Sequence, residues 1–312
     1  VSSGIFDFTI VMPSYQQAAY LPTALASLEA QCPASFELIV QDGGSTDGSV
    51  EILREFAARA PFPMQWESGP DGGQAAALNR GIRKARGAFL GCVNSDDLLR
   101  PGALQAVAET FTAHPEADVV YGRAAFLDPK GLPLGEHPLG EWSLESLLER
   151  CGISQPACFW RRSLVERVGL FDETLHGSFD YDYWLRAAPC ARAVFVDRVL
   201  AAAHCHDAAK TFRDRRRLLE ESCLLQARHG GGKISPGNAH ELASLQAGGH
   251  LLRPWPHWLL RVVFEARFYV HMAALAPRTR GFPGKAYWRR FPADFSNSLK
   301  LARQPLARVA AP

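Results

Sequence analysis

Residues 88–97 read Ala88-Phe89-Leu90-Gly91-Cys92-Val93-Asn94-Ser95-Asp96-Asp97, an apolar run of strand length that stops at two adjacent carboxylates. Buried strands of an open α/β sheet have this composition, and ligands bind such sheets beyond the carboxyl ends of the strands. Side-by-side acids repel each other, so their natural partner is a hard divalent cation, Mn²⁺ or Mg²⁺, shared with a diphosphate.

Outward from this stretch, residues 7–121 alternate short β-type runs with helical patterns, the order that gives parallel strands joined by crossover helices. The pattern predicts strands at 8–12, 36–41, 64–67, 88–93 and 118–121, and helices near 20–31, 48–60, 73–86 and 101–114. Ala75, Leu78, Ile82 and Ala85 share one face of the third helix, with Gly87 expected as its left-handed cap and Pro101 in the first turn of the fourth. From residue 122 the period changes. Phe126-Leu127-Asp128-Pro129-Lys130-Gly131 predicts a hairpin turn, and strands recur near 157–160 and 193–203 between short helices, so a small mixed sheet should complete the first. After about residue 207 an Arg-rich stretch, a Gly-rich break at 230–232 and an aromatic segment from Trp255 to Tyr269 predict a helical C-terminal extension. The expected domains are 1–209, divided at 121/122, and 210–312.

Thirty-four Lys and Arg against 32 Asp and Glu leave a formal charge of +2, too little for an overall field that attracts nucleic acid or an anionic membrane. The seven cysteines, at 32, 92, 151, 158, 190, 205 and 223, form no Cys-x-x-Cys and fall mostly in apolar runs, the pattern of reduced core thiols on a cytosolic face. No signal-like segment is visible at residues 1–4, and no uncharged stretch reaches the roughly 18 residues that span a bilayer. The expected location is cytoplasmic, with any membrane contact peripheral and made through a local patch in 210–276.

The first strand ends in Pro13-Ser14-Tyr15-Gln16 and the second in Gln41-Asp42-Gly43-Gly44-Ser45-Thr46-Asp47-Gly48, which brings both loops to the edge that carries Asp96 and Asp97. Glycines let the backbone approach a ligand, Ser45 and Asp47 are expected helix caps, and Asp42 can accept hydrogen bonds from a base or ribose. The plainer reading of this loop is turn chemistry. No Gly-x-Gly-x-x-Gly follows a strand, and Gly230-Gly231-Gly232-Lys233 lacks the hydroxyl residue and spacing of a phosphate loop.

In this order, Pro13-Ser14-Tyr15, Asp42-Gly43-Gly44-Ser45-Thr46-Asp47, Pro70-Asp71-Gly72-Gly73-Gln74 with Asn79-Arg80-Gly81, and Asn94-Ser95-Asp96-Asp97 resemble the family 2 glycosyltransferases. Those are inverting, metal-dependent enzymes of the GT-A fold that use nucleotide-sugar donors. The resemblance implies a Rossmann-like α/β fold with a mostly parallel central sheet flanked by helices, a nucleotide-sugar-binding half at 1–121 and an acceptor half at 122–209. It implies a donor site of Pro13, Ser14, Tyr15, Gln16, Asp42, Asp71, Gln74, Arg80, Asn94, Ser95 and Asp96, with a cation on Asp96 and Asp97. Asn94 stands where many relatives carry the first Asp of an Asp-x-Asp motif, which leaves the division of ribose and metal contacts between Asp96 and Asp97 open.

Val168-Gly169-Leu170-Phe171-Asp172-Glu173, followed by Ser178-Phe179-Asp180-Tyr181-Asp182-Tyr183-Trp184, is similar to the family segment whose Asp is the general base. Asp180 is the matching position. Its plainer reading is a helix N-cap, and Asp182 is the weaker alternative base. Relatives often carry Glu where Phe179 stands. His204-Cys205-His206 matches a family stretch in which a His lies near the diphosphate, and strand alternation puts both imidazoles on one face. There one of them, with His206 the metal candidate, could join the metal or bind phosphate, or both could be partly buried strand histidines. Arg213, Arg215, Arg216 and Arg217 read either as a solvated helix face or as a site for a phosphate-bearing acceptor or anionic lipid, and Trp255–Tyr269 as a core-packing or an interfacial helix.

The reaction implied is transfer of a sugar from a UDP- or dTDP-sugar to a hydroxyl of a glycan or lipid-linked glycan, in surface or exported polysaccharide biosynthesis. The alternatives are a non-catalytic nucleotide-sugar-binding or scaffold subunit, and a sugar-phosphate nucleotidyltransferase. The latter usually has a Gly-rich basic loop after its first strand, which Pro13-Ser14-Tyr15-Gln16 does not supply.

Overall fold

A computed structural model describes residues 7–232 together with 235, 237, 238, 241 and 242; Trp255–Tyr269 lies outside the described residues. The chain runs β1 (Phe8–Ser14), α1 (Leu21–Glu29), β2 (Phe36–Asp42), α2 (Ser49–Ala57), β3 (Met64–Ser68), α3 (Gln74–Lys84) and β4 (Phe89–Cys92). It continues through β5 (Asp97–Leu99), α4 (Ala103–Ala113), β6 (Val119–Leu127), β7 (Pro133–Glu136), α5 (Leu144–Glu149), β8 (Cys158–Arg161), α6 (Leu164–Val168), α7 (Phe179–Ala187), β9 (Ala193–His204), α8 (Lys210–Arg213) and α9 (Arg215–His229). A single 3₁₀ turn, Gln155–Ala157, leads into β8.

The strands form one sheet in the order β3-β2-β1-β4-β8-β6-β9-β5, with β7 paired to β6. β3, β2, β1 and β4 are mutually parallel. Every residue of β1 and β2 is buried, as happens where helices cover both faces of a parallel sheet. α1 supplies part of that cover with Leu21, Ala24, Leu25 and Leu28, an i, i+3, i+4, i+7 stripe. β8 then pairs antiparallel to β4, and β6 and β9 run parallel to each other. This is the expected α/β architecture, a parallel sheet completed by a mixed half.

Three local expectations need correction. Gly87 is not a left-handed cap, because α3 ends at Ala85 in an extended conformation. A Cβ on Gly87 would lie 2.4 Å from both the Phe8 carbonyl carbon and the Thr9 nitrogen, so this glycine is required by close approach of backbones. Pro101 precedes the first turn of α4, which is capped by Gly102 at φ 71. Ser45 does not cap α2. Its hydroxyl turns to Asp42, and Asp47 alone accepts the Ser49 N–H, at 3.1 Å.

Gly87→Ala is the sharpest stability test of the sheet. Overpacking a tight site costs about 1–3 kcal/mol, and here the obstacle is backbone, which cannot rotate away. The upper end of that range is expected, read as a lower denaturation midpoint in urea.

The described residues fall into two compact units. One comprises residues up to Trp142 with Gly152–His206, and the other comprises Ser143–Cys151 with the described residues from Asp207 onward. In the second unit the basic run has local acidic partners: Arg213 with Asp214, Arg215 with Glu241, Arg216 with Glu220 and Arg217 with Glu221. The run is therefore a charge-balanced surface and not a bare positive patch. None of the seven cysteines is in a disulfide; Cys92, Cys158 and Cys223 are buried, whereas Cys32 and Cys190 are exposed and so depart from the core-thiol expectation. Among the described residues, no helix is long and apolar enough to cross a membrane.

Candidate active site

The parallel register sets the site. Ser14 lies opposite Asp42, Asp42 opposite Ser68, and Val11 opposite Cys92, so the loops after β1, β2, β3 and β4 all leave from one edge. Pro13 and Ser14 are buried at the end of β1, and the Ser14 hydroxyl has no hydrogen-bond partner among the described residues.

Asp42 is buried and its carboxylate is already engaged. Oδ2 accepts from the Gly44 and Ser45 N–H groups at 3.0 and 2.9 Å and from the Ser68 hydroxyl at 2.6 Å, and Oδ1 accepts from the Ser45 hydroxyl at 2.6 Å. Burial works against the charge, but the Ser45 and Ser68 hydrogen bonds outweigh it and hold the carboxyl below its ordinary range. An ionised carboxylate offers about four acceptor positions; the loop and Ser68 of β3 together make four hydrogen bonds to it, three on Oδ2 and one on Oδ1. The turn-chemistry reading of Asp42 accounts for its contacts.

Gln16 fastens this loop to its neighbour. Its N–H donates to the Ser45 hydroxyl at 2.8 Å and its side chain bridges Thr46 at 3.0 Å, with the backbone at φ 55, a conformation rare outside glycine. Beside it Tyr15 stands 62 % exposed. A Cβ on Gly43 would lie 3.2 Å from both the Tyr15 ring and the Asp71 carboxylate, so these three residues converge. Asp71 accepts the Gly73 N–H at 2.8 Å, just ahead of α3.

The acidic stretch is knitted by amides. Gln74 at the start of α3 donates to Asn94 Oδ1 at 2.8 Å, and Asn94 Nδ2 donates to Asp97 Oδ2 at 2.8 Å. Asp97 is the first residue of β5, paired with Ala203 of β9, and is buried. Burial and the neighbouring Asp96 charge push its carboxyl well above the ordinary range, against the Asn94 hydrogen bond. Ser95 is buried behind it.

Asp96 turns the other way. Its Oδ2 meets His206 Nε2 at 3.1 Å and accepts from Gln17 Nε2 at 3.3 Å, while its carbonyl lies 2.7 Å from His204 Nδ1. Tyr20 stacks on His206 with centroids 4.3 Å apart and tilts against His204 at 5.3 Å. The two histidines thus share a face. Among the described residues no three His, Cys, Asp or Glu side chains gather as a metal cage. The Asp96–His206 pair suits an ion that keeps waters and takes its remaining oxygens from a substrate diphosphate, as Mg²⁺ commonly does.

Asp180 occupies the second helical position of α7, two residues past the N-cap Ser178, so it is not the cap. Burial pushes its carboxyl up to about 6, against hydrogen bonds that include the Tyr181 N–H at 2.8 Å. Its charge acts on the Cys92 thiol, which places it by the end of β4, next to the edge that carries residues 94–97. Asp182 is committed elsewhere. It pairs with Arg186 at 2.8 Å, and Arg186 also donates to the Val168 and Leu170 carbonyls.

Asn79-Arg80-Gly81 divides its labour in a way the sequence did not suggest. Asn79 is buried; it donates to the Phe171 carbonyl at 2.9 Å and to Glu173 at 2.8 Å, and accepts the Phe171 N–H at 3.0 Å. It thereby anchors the segment that leads to Asp180. A Cβ on Gly81 would lie 2.3 Å from Val11, so this glycine seats α3 on β1. Arg80 is exposed on α3 and its charge acts on Glu67, so no described contact brings it to Asn94–Asp97.

The family model described as Glycosyl transferase family 2 matches residues 9–146. A PGL/p-HBAD biosynthesis glycosyltransferase of Mycobacterium tuberculosis is 32% identical over 180 residues, 57% of this chain and 68% of its own length. This chain belongs to glycosyl transferase family 2. The family match contains every donor-edge motif and stops before Asp180. A protein of Sinorhizobium fredii is 34% identical over 180 residues, 57% of this chain, which spans only 20% of that protein. Two solved structures share the fold. S. aureus TarS in complex with UDP-GlcNAc aligns with a TM-score of 0.62 at 16% identity, over 95% of this chain and 90% of that one. The Pyrobaculum calidifontis mannosyltransferase in complex with GDP-Man and Mn²⁺ aligns at 0.56 and 18%, over 96% and 88%.

Proposed function

We propose that this family 2 member moves a sugar from a nucleoside-diphosphate sugar, of UDP or dTDP type, to a hydroxyl of a glycan or lipid-linked glycan, inverting the anomeric carbon. The observation that carries the reading is Asp180, a carboxyl poised at about 6 beside the strand edge that bears the donor motifs. A general base works best with a pKa close to the working pH. In the step proposed, the acceptor oxygen bonds to the anomeric carbon as its proton passes to Asp180. The bond from that carbon to the diphosphate breaks on the opposite side, and one displacement inverts the centre.

The exposed Tyr15 ring offers a face for the base, and Tyr15, Gly43 and Asp71, which converge from the loops after β1, β2 and β3, would hold the nucleotide between them. Asp96 and His206 would hold a Mn²⁺ or Mg²⁺ ion, which when bound supplies counter-charge for the leaving diphosphate. Asp97, buried and hydrogen-bonded to Asn94, is assigned to holding that loop. With the Arg213–Arg217 charges balanced locally, any peripheral membrane contact would rest on Trp255–Tyr269, and liposome flotation of Trp255→Ala/Trp258→Ala against wild type tests it.

A donor panel with Mn²⁺ present tests the whole reading. UDP-GlcNAc, UDP-glucose, dTDP-glucose and GDP-mannose are offered, and nucleoside-diphosphate release is measured. Release from one of them, stimulated by a saccharide acceptor, is expected. Binding without release from any would return the protein to the scaffold class.

A further inference from the structure

Gln155 belongs to no motif discussed so far. It opens the 3₁₀ turn before β8, is 6 % exposed, and accepts at Oε1 from Asn94 Nδ2 at 3.3 Å. Its Nε2 is buried and has no hydrogen-bond partner among the described residues. The orientation of the amide follows from its neighbours. Asn94 Oδ1 accepts from Gln74 Nε2 and its Nδ2 donates to the Asp97 carboxylate, so the side of Asn94 facing Gln155 is an N–H and must meet an oxygen. The N–H pair of Gln155 is thereby left over, against the cluster that carries Asn94 and Asp97.

A buried donor with no acceptor is among the more expensive features a fold can keep, and an apolar side chain of the same length would remove the penalty. We infer that Gln155 is a donor-sugar recognition residue, its Nε2 hydrogen-bonding a hydroxyl oxygen of the sugar being transferred. The inference rests on the transferase reading above. A hydroxyl suits this position better than a phosphate oxygen, because an anion here would lie beside the buried Asp97 carboxylate that Asn94 holds. The residue as a whole keeps 6 % of its surface exposed, so a small rotation of its amide, at the expense of the long 3.3 Å contact with Asn94, would present Nε2 to a sugar hydroxyl while Asn94 keeps its bonds to Gln74 and Asp97.

The test titrates wild type, Gln155→Met and Gln155→Glu with UDP-GlcNAc, UDP-glucose, GDP-mannose, UDP and GDP, and melts each protein alone. Met keeps length and removes both polar atoms; Glu keeps the oxygen that Asn94 uses and removes the donor. A neutral hydrogen bond is worth about 3- to 10-fold in affinity. Affinity for the preferred nucleotide sugar should fall by that factor in both variants, while affinity for the free nucleotide stays at the wild-type value. Gln155→Met alone should melt no lower than wild type. Unchanged sugar-nucleotide affinity overturns the assignment. So does a parallel loss for UDP or GDP, which would move the contact to the diphosphate, and so does a lower melting point of Gln155→Met with all ligands weakened, which would make Gln155 structural. Release of nucleotide from no donor by wild type would instead sink the transferase reading itself.

Discussion

Asp180→Asn is expected to lower transfer by about 10²–10⁴-fold, the usual worth of a positioned general base, with donor affinity unchanged. The amide keeps the shape of the carboxylate and can still take the Tyr181 N–H, so α7 has no reason to shift. Stability gives the control. The folded carboxyl sits at about 6, above its ordinary 3.8, so the stability this group contributes is full below that ordinary value and is lost as pH rises through 6. At pH 7 the wild type therefore carries the cost of a desolvated charge that Asn does not, and the variant should melt at the same temperature or higher. The same shift predicts the pH profile. Wild-type kcat/KM should fall as pH drops through about 6, where Asp180 takes up a proton, and the residual rate of Asp180→Asn should lack that limb. Wild-type turnover in Asp180→Asn would remove Asp180 from the reaction.

Asp96→Ala should abolish the enhancement of UDP affinity by Mn²⁺ in isothermal titration. Partners that merely orient a metal ligand are typically worth about 10–100-fold in affinity, and Asp96 is proposed as a ligand itself, so a loss at or beyond about 100-fold is expected. His206→Ala should reproduce part of the loss, since its Nε2 lies 3.1 Å from Asp96 Oδ2. Asp97→Asn should behave differently. Its carboxyl is buried under Asn94 and already disfavours charge, so the amide should keep the Mn²⁺ enhancement. A reversed outcome, with Asp97 decisive and Asp96 dispensable, would exchange the two roles.

What the sequence conveyed follows from range. β1, β2 and β4 were legible because apolar runs bounded by turn residues are a local signal, and their parallel order brought Ser14, Asp42 and Asn94 to one edge before any coordinate was known. β5 was missed, because three residues starting inside an acidic motif carry no periodicity; it exists through pairing with Ala201–Ala203, about a hundred residues on. Gly87 read as a cap because glycine after a helix usually is one, whereas the need here comes from β1, far away in sequence. Gln17, Tyr20 and Gln155 carry no signal as single polar or aromatic residues, and Asn79, though part of a motif, carries none for its clamp. Each gains its meaning from a partner distant in the chain: Asp96, His206, Asn94 and Phe171 respectively.

The Asn79 clamp bears on how such enzymes can be recombined. A graft that joined residues 1–121 of this chain to the later half of a relative would look natural, since one half holds the donor motifs and the other Asp180. Yet Asn79 exchanges three hydrogen bonds with Phe171 and Glu173, and β4 and β5 pair with β8 and β9 across the same cut. A chimaera lacking a matched residue at 79 would leave buried polar groups of both parents unsatisfied and release the segment that leads to Asp180. Exchanging loops within 122–209 keeps these pairings where shuffling halves does not, provided that Asn79, Phe171 and Glu173 are inherited as one unit.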